Sequence, residues 1–405
     1  MRNALLAASL VLPAIQAQAE AQSNPKKSKP VQAHPGVDQA KVDAAIRKGV
    51  AYIKQSPDGM GTGLVLLAFL HAGRDIVAEA DPVFQSLLKT QLESDLTQTY
   101  EVSITAMILE ELDRVKYQGR LWQCAQFLVD NQCRNGMWNY GEPTPFVKDI
   151  PTGTPVKRDV ATKPAARDFS DPPPGPRKVV RTMPVTKRRD GPESGDNSNS
   201  QYAALGLRAC HDAGIILPKD VVRKAHQWWS DHRSVEGKEE GAAKATGAGA
   251  NSSSWGYGGE GTCGAMTAGA VGALAIYDYI LDDDGGRKKS WWSDPAVRGG
   301  LEWLARNFVA THNPGQCDLG HPPKGLYAYY LYAVERAGLL VGTEAFGRHE
   351  WYPAGANELL KSQKPDGSWG GDICGPVVDT CFAILFLRRA TRPLDVASVD
   401  PFKRK

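Results

Sequence analysis

The sequence predicts an all-α protein, an (α/α)6 toroid of six helical hairpins with buried inner helices. Three observations predict it. A unit made of a helix, a polar Gly/Trp turn and a second, more apolar helix recurs about six times between Val42 and Ala390. The first helix of each unit carries one apolar stripe, whereas the second is apolar on nearly all sides, the pattern of an outer helix and a buried inner one. The last unit, with Phe382 to Leu387, is as apolar as any interior copy. It is no polar capping repeat, so the first unit must cover it. A lone hairpin cannot bury its own apolar face, so the repeat sets the architecture before any single residue does.

The units follow in order, each with its own signals. The first pairs an outer helix carrying Ala45, Val50 and Ile53 with an inner run from Leu64 to Leu70. Asp81 and Pro82 open the second, an N-cap with proline at the first helical position, and its inner helix spans Val102 to Leu112. The third has its outer helix at Leu121 to Asp130 and its inner helix only at Tyr202 to Ala209. The fourth outer helix follows Lys219 and Asp220 and holds Trp228 and Trp229; its turn carries Trp255 and Tyr257, and its inner helix is Met266 to Ile280. Asp294 and Pro295 open the fifth, whose inner helix is Tyr327 to Gly338. The sixth runs from Gly355 through a turn with Gln363, Gly367 and Trp369 to an inner helix at Val378 to Leu387.

The toroid occupies residues 41–390. Within it, residues 142–195 are rich in Pro, Lys, Arg, Asp and Thr and lack the apolar residues that offset the entropy of ordering. They read as a disordered insertion in the third unit, with docking of a protein partner as the other reading. Residues 237–250 read as a smaller flexible insertion. Residues 1–19 have the form of a signal peptide: Arg2, an apolar stretch from Leu5 to Ile15, and the small residues Ala17 and Ala19. An exported protein, periplasmic or secreted after cleavage near Ala19, is expected. Residues 20–40 read as a flexible leader and residues 391–405 as a basic tail.

Net charge is +3 and evenly spread, which gives no case for nucleic-acid binding. No apolar run beyond the first twenty residues reaches membrane-spanning length, so no transmembrane segment is expected in the mature chain. Seven cysteines in an exported chain permit disulfides. The helix between Cys124 and Cys133 separates their Cα atoms by roughly 13 Å at 1.5 Å per residue, beyond the ~7 Å reach of a disulfide. Cys317 and Cys374, in equivalent loops of adjacent units, are the better pair, and Cys210 reads as a buried thiol.

The spacing of Gln363, Gly367 and Trp369 resembles the Gln-x-x-x-Gly-x-Trp repeat of squalene and oxidosqualene cyclases. Gln132, Gly136 and Trp138 form a second copy, and Gln55 with Gly59 a partial one that has Gly61 in place of the Trp. Protein prenyltransferase beta subunits are similar in having the same α/α toroid. Physically, the Gln can satisfy orphan carbonyls at the end of the outer helix, the Gly permits a positive φ, and the Trp packs across to the neighbouring unit.

In such a ring all inner-helix N-termini converge on one mouth, whose partial positive charges favour an anionic or electron-rich ligand. Glu101, Asn199 and Asp379 align at equivalent places there, with Gln201, Cys263 and Tyr327 nearby. Asp379 reads as a helix cap, as a ligand contact, or as the remnant of the cyclase acid motif that its place before Thr380 resembles. Pro376, Val377 and Val378 occupy the other motif positions, so the family's proton-donating aspartate is missing. Asp379 and Cys381 also resemble the zinc pair of prenyltransferase beta subunits. His321 could complete a zinc site in space; otherwise no cofactor is expected. Cys263 sits where toroidal complement-like domains carry a thioester, but Met266 replaces the required Gln.

Three functions stay open. The first is an exported binding or scaffold protein without the cyclase acid motif. The second is an enzyme acting on an isoprenoid or other lipid in the cavity. The third is a glycan-active α/α barrel, lyase or hydrolase, using Glu101 and Asp379 as paired carboxylates. The missing acid and the incomplete zinc triad favour the first. Its expected ligand is a hydrophobic or anionic small molecule or a glycan, with a protein partner on residues 142–195.

Overall fold

The computed structural model describes residues 34–56, 62–156, 178–235, 252–257, 261–282, 291, 293–316, 326–370 and 373–394. Over these the protein is all-α, with short strands only in its connections. Five helices bury mainly one face, α1 (Gln39–Gln55), α3 (Pro82–Glu93), α7 (Lys219–Asp231), α9 (Pro295–Asn307) and α11 (Trp351–Ser362), and a sixth in the same series, α5 (Gln118–Asp130), is buried on nearly all sides. They alternate with α2 (Thr62–Ala72), α4 (Thr99–Asp113), α6 (Asn197–Asp212), α8 (Gly264–Leu281), α10 (Tyr327–Val341) and α12 (Pro376–Arg388), which are largely buried. The buried helices touch in chain order from α2 to α12, and α12 packs back on α2. Likewise α1 lies on α11 and α12. Of the described helices α8 is long and apolar enough to cross a membrane, and it is buried among its neighbours.

The caps explain where helices start. Asp81 and Asp294 accept hydrogen bonds from the first-turn amides of α3 and α9, with Pro82 and Pro295 at the first helical position. The third inner helix starts at Asn197, five residues before the apolar pattern does, because Asp196 accepts from the Asn199 amide at 2.9 Å and caps it. Asp379 is not a cap. Gly375, at φ 82°, precedes Pro376, and Asp379 falls in the first turn of α12.

The Gln/Gly/Trp turns repeat the same bonds. Gln132 Nε2 donates to Gly136 O within its turn and to Val221 O on the next outer helix, α7. Gln363 Nε2 donates to Gly367 O and to Ala45 O on α1, both at 2.9 Å. Trp138 and Trp369 donate to Leu128 O and Leu359 O of their own outer helices. The expected roles therefore divide differently: the Gln crosses to the next unit, and the Trp indole N–H bonds within its own. The Trp369 ring also faces α1, where a Cβ on Gly49 would lie 2.9 Å from it.

Two segments expected to be flexible are ordered where the structure describes them. In the insertion, residues 142–156 and 178–195 are folded against α5; residues 157–177 lie outside the described residues, as do 236–251. Gln118, Trp122 and Gln126 of α5 donate to Arg181 O, Pro184 O and Thr186 O. Met183 and Val185 are buried beneath. The strand β2 (Arg181–Pro184) pairs antiparallel with β1 (Thr154–Pro155) and parallel with β3 (Ile215–Ile216). At the leader's end Gly36 O accepts from Asn357, and His34 meets the Tyr352 ring; residues 1–33 lie outside the described residues.

The start of the tail is a strap across the C-terminal ends of the buried helices. Arg392 reaches Glu110 of α4 and Asp212 of α6, while Arg208 of α6 donates to Arg392 O and Pro393 O. Glu335 of α10 accepts from the Thr391 amide and hydroxyl. The expected pairing of Cys317 with Cys374 is not formed. Cys374 is a free thiol and Cys263 is disulfide-bonded; Cys317 lies outside the described residues. Cys124, Cys133 and Cys210 are free and buried, as expected.

Gly367, at φ 93°, would place a Cβ 2.5 Å from Lys48 O of α1. Gly367→Ala is expected to lower unfolding free energy by about 2–4 kcal/mol, combining left-handed strain with the clash. Gly119→Ala, in the first turn of α5 with its nearest contact at 3.7 Å, is expected to be neutral or stabilising by up to ~1 kcal/mol. Urea unfolding of both variants checks the pair.

Burial raises the Glu335 carboxyl from 4.5 to about 7, against the opposing bonds from Thr391. The fold therefore holds this proton more tightly than the unfolded chain. Its contribution is fully present below pH 4.5 and is lost as pH rises through about 7, a change of roughly 3 kcal/mol. Glu335→Gln should flatten the stability profile between those values, as read by denaturant titration across pH.

Candidate functional site

The buried helices converge on an aromatic centre. Tyr100 of α4 and Tyr202 of α6 have ring centroids 4.4 Å apart, and Tyr202 stacks towards Tyr329 of α10 at 6.4 Å. Phe382 of α12 meets Tyr329 at 5.5 Å and Tyr332 at 5.8 Å. Arg336 is buried in their midst, its guanidinium 4.3 Å from the Tyr332 centroid and 5.2 Å from that of Tyr202. Such faces stabilise a desolvated cation. Arg336 Nη2 donates to Gln201 Oε1 and Gln201 Nε2 donates to the Tyr329 hydroxyl, each at 2.6 Å. A cavity of ≈ 10 Å³ beside Gln201, Gly269 and Arg336 has the size of one water.

The residues expected at the mouth divide. Gln201 belongs to the central network. Asn199 is buried and donates to Asp196 at 2.7 Å. Glu101, in the first turn of α4, accepts from the Gly63 amide of α2 at 3.2 Å; burial raises its carboxyl. Asp379 is buried, and a Cβ on Gly370 would lie 2.1 Å from its Oδ2, so the turn backbone closes over it. Cys263 is the N-cap residue of α8, and its disulfide takes it out of thiol chemistry. Tyr327 does not face the centre: its hydroxyl donates to Ala310 O after α9 at 2.8 Å.

Cys381 is fully buried, and burial together with Asp379 raises its thiol well above the ordinary range. That opposes the thiolate a zinc site needs. His321 lies outside the described residues. Cys374, half-buried, is pushed up to about 11 by burial and then by Asp379.

One cluster has no counterpart among the residues singled out above. His226 of α7, Asp278 near the end of α8 and Asp294 at the start of α9 bring three donor atoms within 4.8 Å of one another. His226 Nε2 lies 3.2 Å from Asp278 Oδ1 and 3.0 Å from Asp294 Oδ2. Its Nδ1 faces Ser230 Oγ at 3.4 Å. Burial opposes charge on this imidazole, yet the bonds to the two carboxylates outweigh it and hold it protonated up to about 9. The three residues line a pocket of ≈ 370 Å³ together with Ser230, Arg233 and Ser293. Asp294 was visible in the sequence as a cap, but nothing in spacing linked it to the other two.

No protein-family model matches the chain, and no curated protein matches it.

Tyr329→Phe removes the hydroxyl that accepts from Gln201 and leaves a buried amide donor unpaired. A loss of about 1–3 kcal/mol in unfolding free energy is expected, measured in urea. Gln201→Leu should cost more than Tyr329→Phe, because it also removes the acceptor of the buried Arg336 guanidinium.

Proposed function

We propose that the chain is an exported α/α toroid, similar in architecture to squalene cyclases and prenyltransferase beta subunits, that acts as a binding scaffold through its outer surface. The observation that carries this reading is the filled centre. Among the described residues Tyr100, Tyr202, Tyr329, Tyr332 and Phe382 pack around Arg336, and the cavity beside it is ≈ 10 Å³, far below the roughly 300 Å³ of an ordinary small-molecule pocket. The contact of α12 with α2 and the bond from Gln363 to α1 support closure of the ring. The strap around Arg392 covers the opposite ends of the same helices.

Binding on the outside has its own support. Ile150, Val156, Val180 and Ile216 are exposed on and beside the small sheet of β1, β2 and β3. Exposed Lys178 and Arg188 lie on the same arm. Grouped exposed apolar residues mark interaction surfaces, and the basic rim favours an acidic protein partner.

Native mass spectrometry of the protein from its own cells tests the reading. The expected result is a chain mass without an isoprenoid adduct, and a protein partner that Val180→Asp releases. An isoprenoid retained by the wild-type chain would overturn it.

A further inference from the structure

We propose that His226, Asp278 and Asp294 bind one divalent first-row transition-metal ion, zinc by their donor set, at the seam between the fourth and fifth helical units. The seam is built from outer helices α7 and α9 and the end of α8, so the inference does not depend on closure of the ring.

Three arguments support it. The first is geometric. Zinc holds imidazole nitrogen and carboxylate oxygen at about 2.0–2.2 Å, so two donors on a tetrahedral ion lie roughly 3.3–3.5 Å apart. The His226 nitrogen already stands 3.2 Å and 3.0 Å from its two carboxylate oxygens. An ion would sit among the three donor atoms, which all lie within 4.8 Å of one another. The second argument is charge. Two carboxylates, Asp278 and Asp294, converge on a single imidazole. Asp278 Oδ2 is in addition buried without a hydrogen-bond partner. Arg233, at the edge of the pocket, donates instead to Ser230 O.

The third argument is rigidity. Each donor sits on a helix or its cap. Asp294 is fixed by accepting the Ala296 amide through Oδ1, which leaves Oδ2 for the ion. Ser230 Oγ beside His226 Nδ1 is placed to orient the ring, as outer partners of metal-bound histidines do. Three protein donors leave a coordination position open, and it faces the ≈ 370 Å³ pocket.

Calorimetric titration of the metal-stripped full chain with zinc chloride tests the proposal. One equivalent should bind, and the ion should stay with the protein through dialysis. His226→Gln and Asp278→Asn should each weaken binding by more than about 10-fold, and Ser230→Ala by about 10-fold, the lower end of outer-partner effects. Asp294→Asn should weaken it as well while keeping the cap, because asparagine caps as well as aspartate. His232→Gln, an exposed histidine beyond the end of the same helix, should leave binding unchanged. Circular dichroism and thermal midpoints of each variant confirm that the fold is kept. Absence of binding by the wild-type chain, or equal binding by His226→Gln and Asp294→Asn with the fold intact, would overturn the proposal.

Discussion

The structure depends on one repeated contact, the docking of a Gln/Gly turn onto the outer helix of the following unit. In the third unit Gln132 reaches Val221 O, and a Cβ on Gly136 would meet Lys224 O, three residues further along α7. In the sixth, Gln363 reaches Ala45 O and Gly367 faces Lys48 O, again three residues further, now on α1. The chain thus treats its first helix as the successor of its last hairpin. A turn with any side chain at the Gly position could not approach that carbonyl, and a helix without Gly49 could not receive the Trp369 ring.

The buried helices satisfy their charges differently at their middles and at their C-terminal ends. Midway along α10, Arg336 is buried among aromatic rings and held by Gln201 and by ring faces, and Glu335 beside it accepts from Thr391. Near the C-terminal ends of α4 and α6, Glu110 and Asp212 place carboxylates where partial negative charge already gathers, an unfavourable arrangement by itself. Arg114 and Arg208 lie one turn away from Glu110 and Asp212. The strap then adds Arg392 between those two carboxylates and Thr391 over Glu335. The first residues of the basic tail therefore compensate charge at the ends of α4 and α6 and hydrogen-bond a third helix, α10.

The hairpins were legible in the sequence because burial on every side leaves an unbroken apolar run. Asp81, Pro82, Asp294 and Pro295 marked two outer helices for an equally local reason. The folded arms around residues 142–195 were not legible, since composition records what an arm lacks and not what receives it. Gln118, Trp122 and Gln126 of α5 hold the arm by its carbonyls, and any sequence offers those. The cap reading of Asp379 fails because α12 starts three residues earlier, at Pro376 after Gly375, which offers no side-chain cap. His226, Asp278 and Asp294 belong to three helices in two units, and no period connects them.

Comparison of two seams shows why that cluster stands apart. Between the first and second units, Lys54 near the end of α1 pairs with Asp81, the cap of α3. One cation meets one carboxylate, and the Asp81 carboxyl is held below its ordinary range chiefly by that bond. Between the fourth and fifth units the cap is Asp294 and the partner from the preceding outer helix is His226. There α8 ends in a second carboxylate, Asp278, aimed at the same imidazole nitrogen. A lysine in place of the imidazole would neutralise one cap and remain a poor ligand, whereas an imidazole ligates through the same nitrogen once its proton has left. The same fold thus sets one cation against one cap at the first seam and one imidazole against two carboxylates at the other.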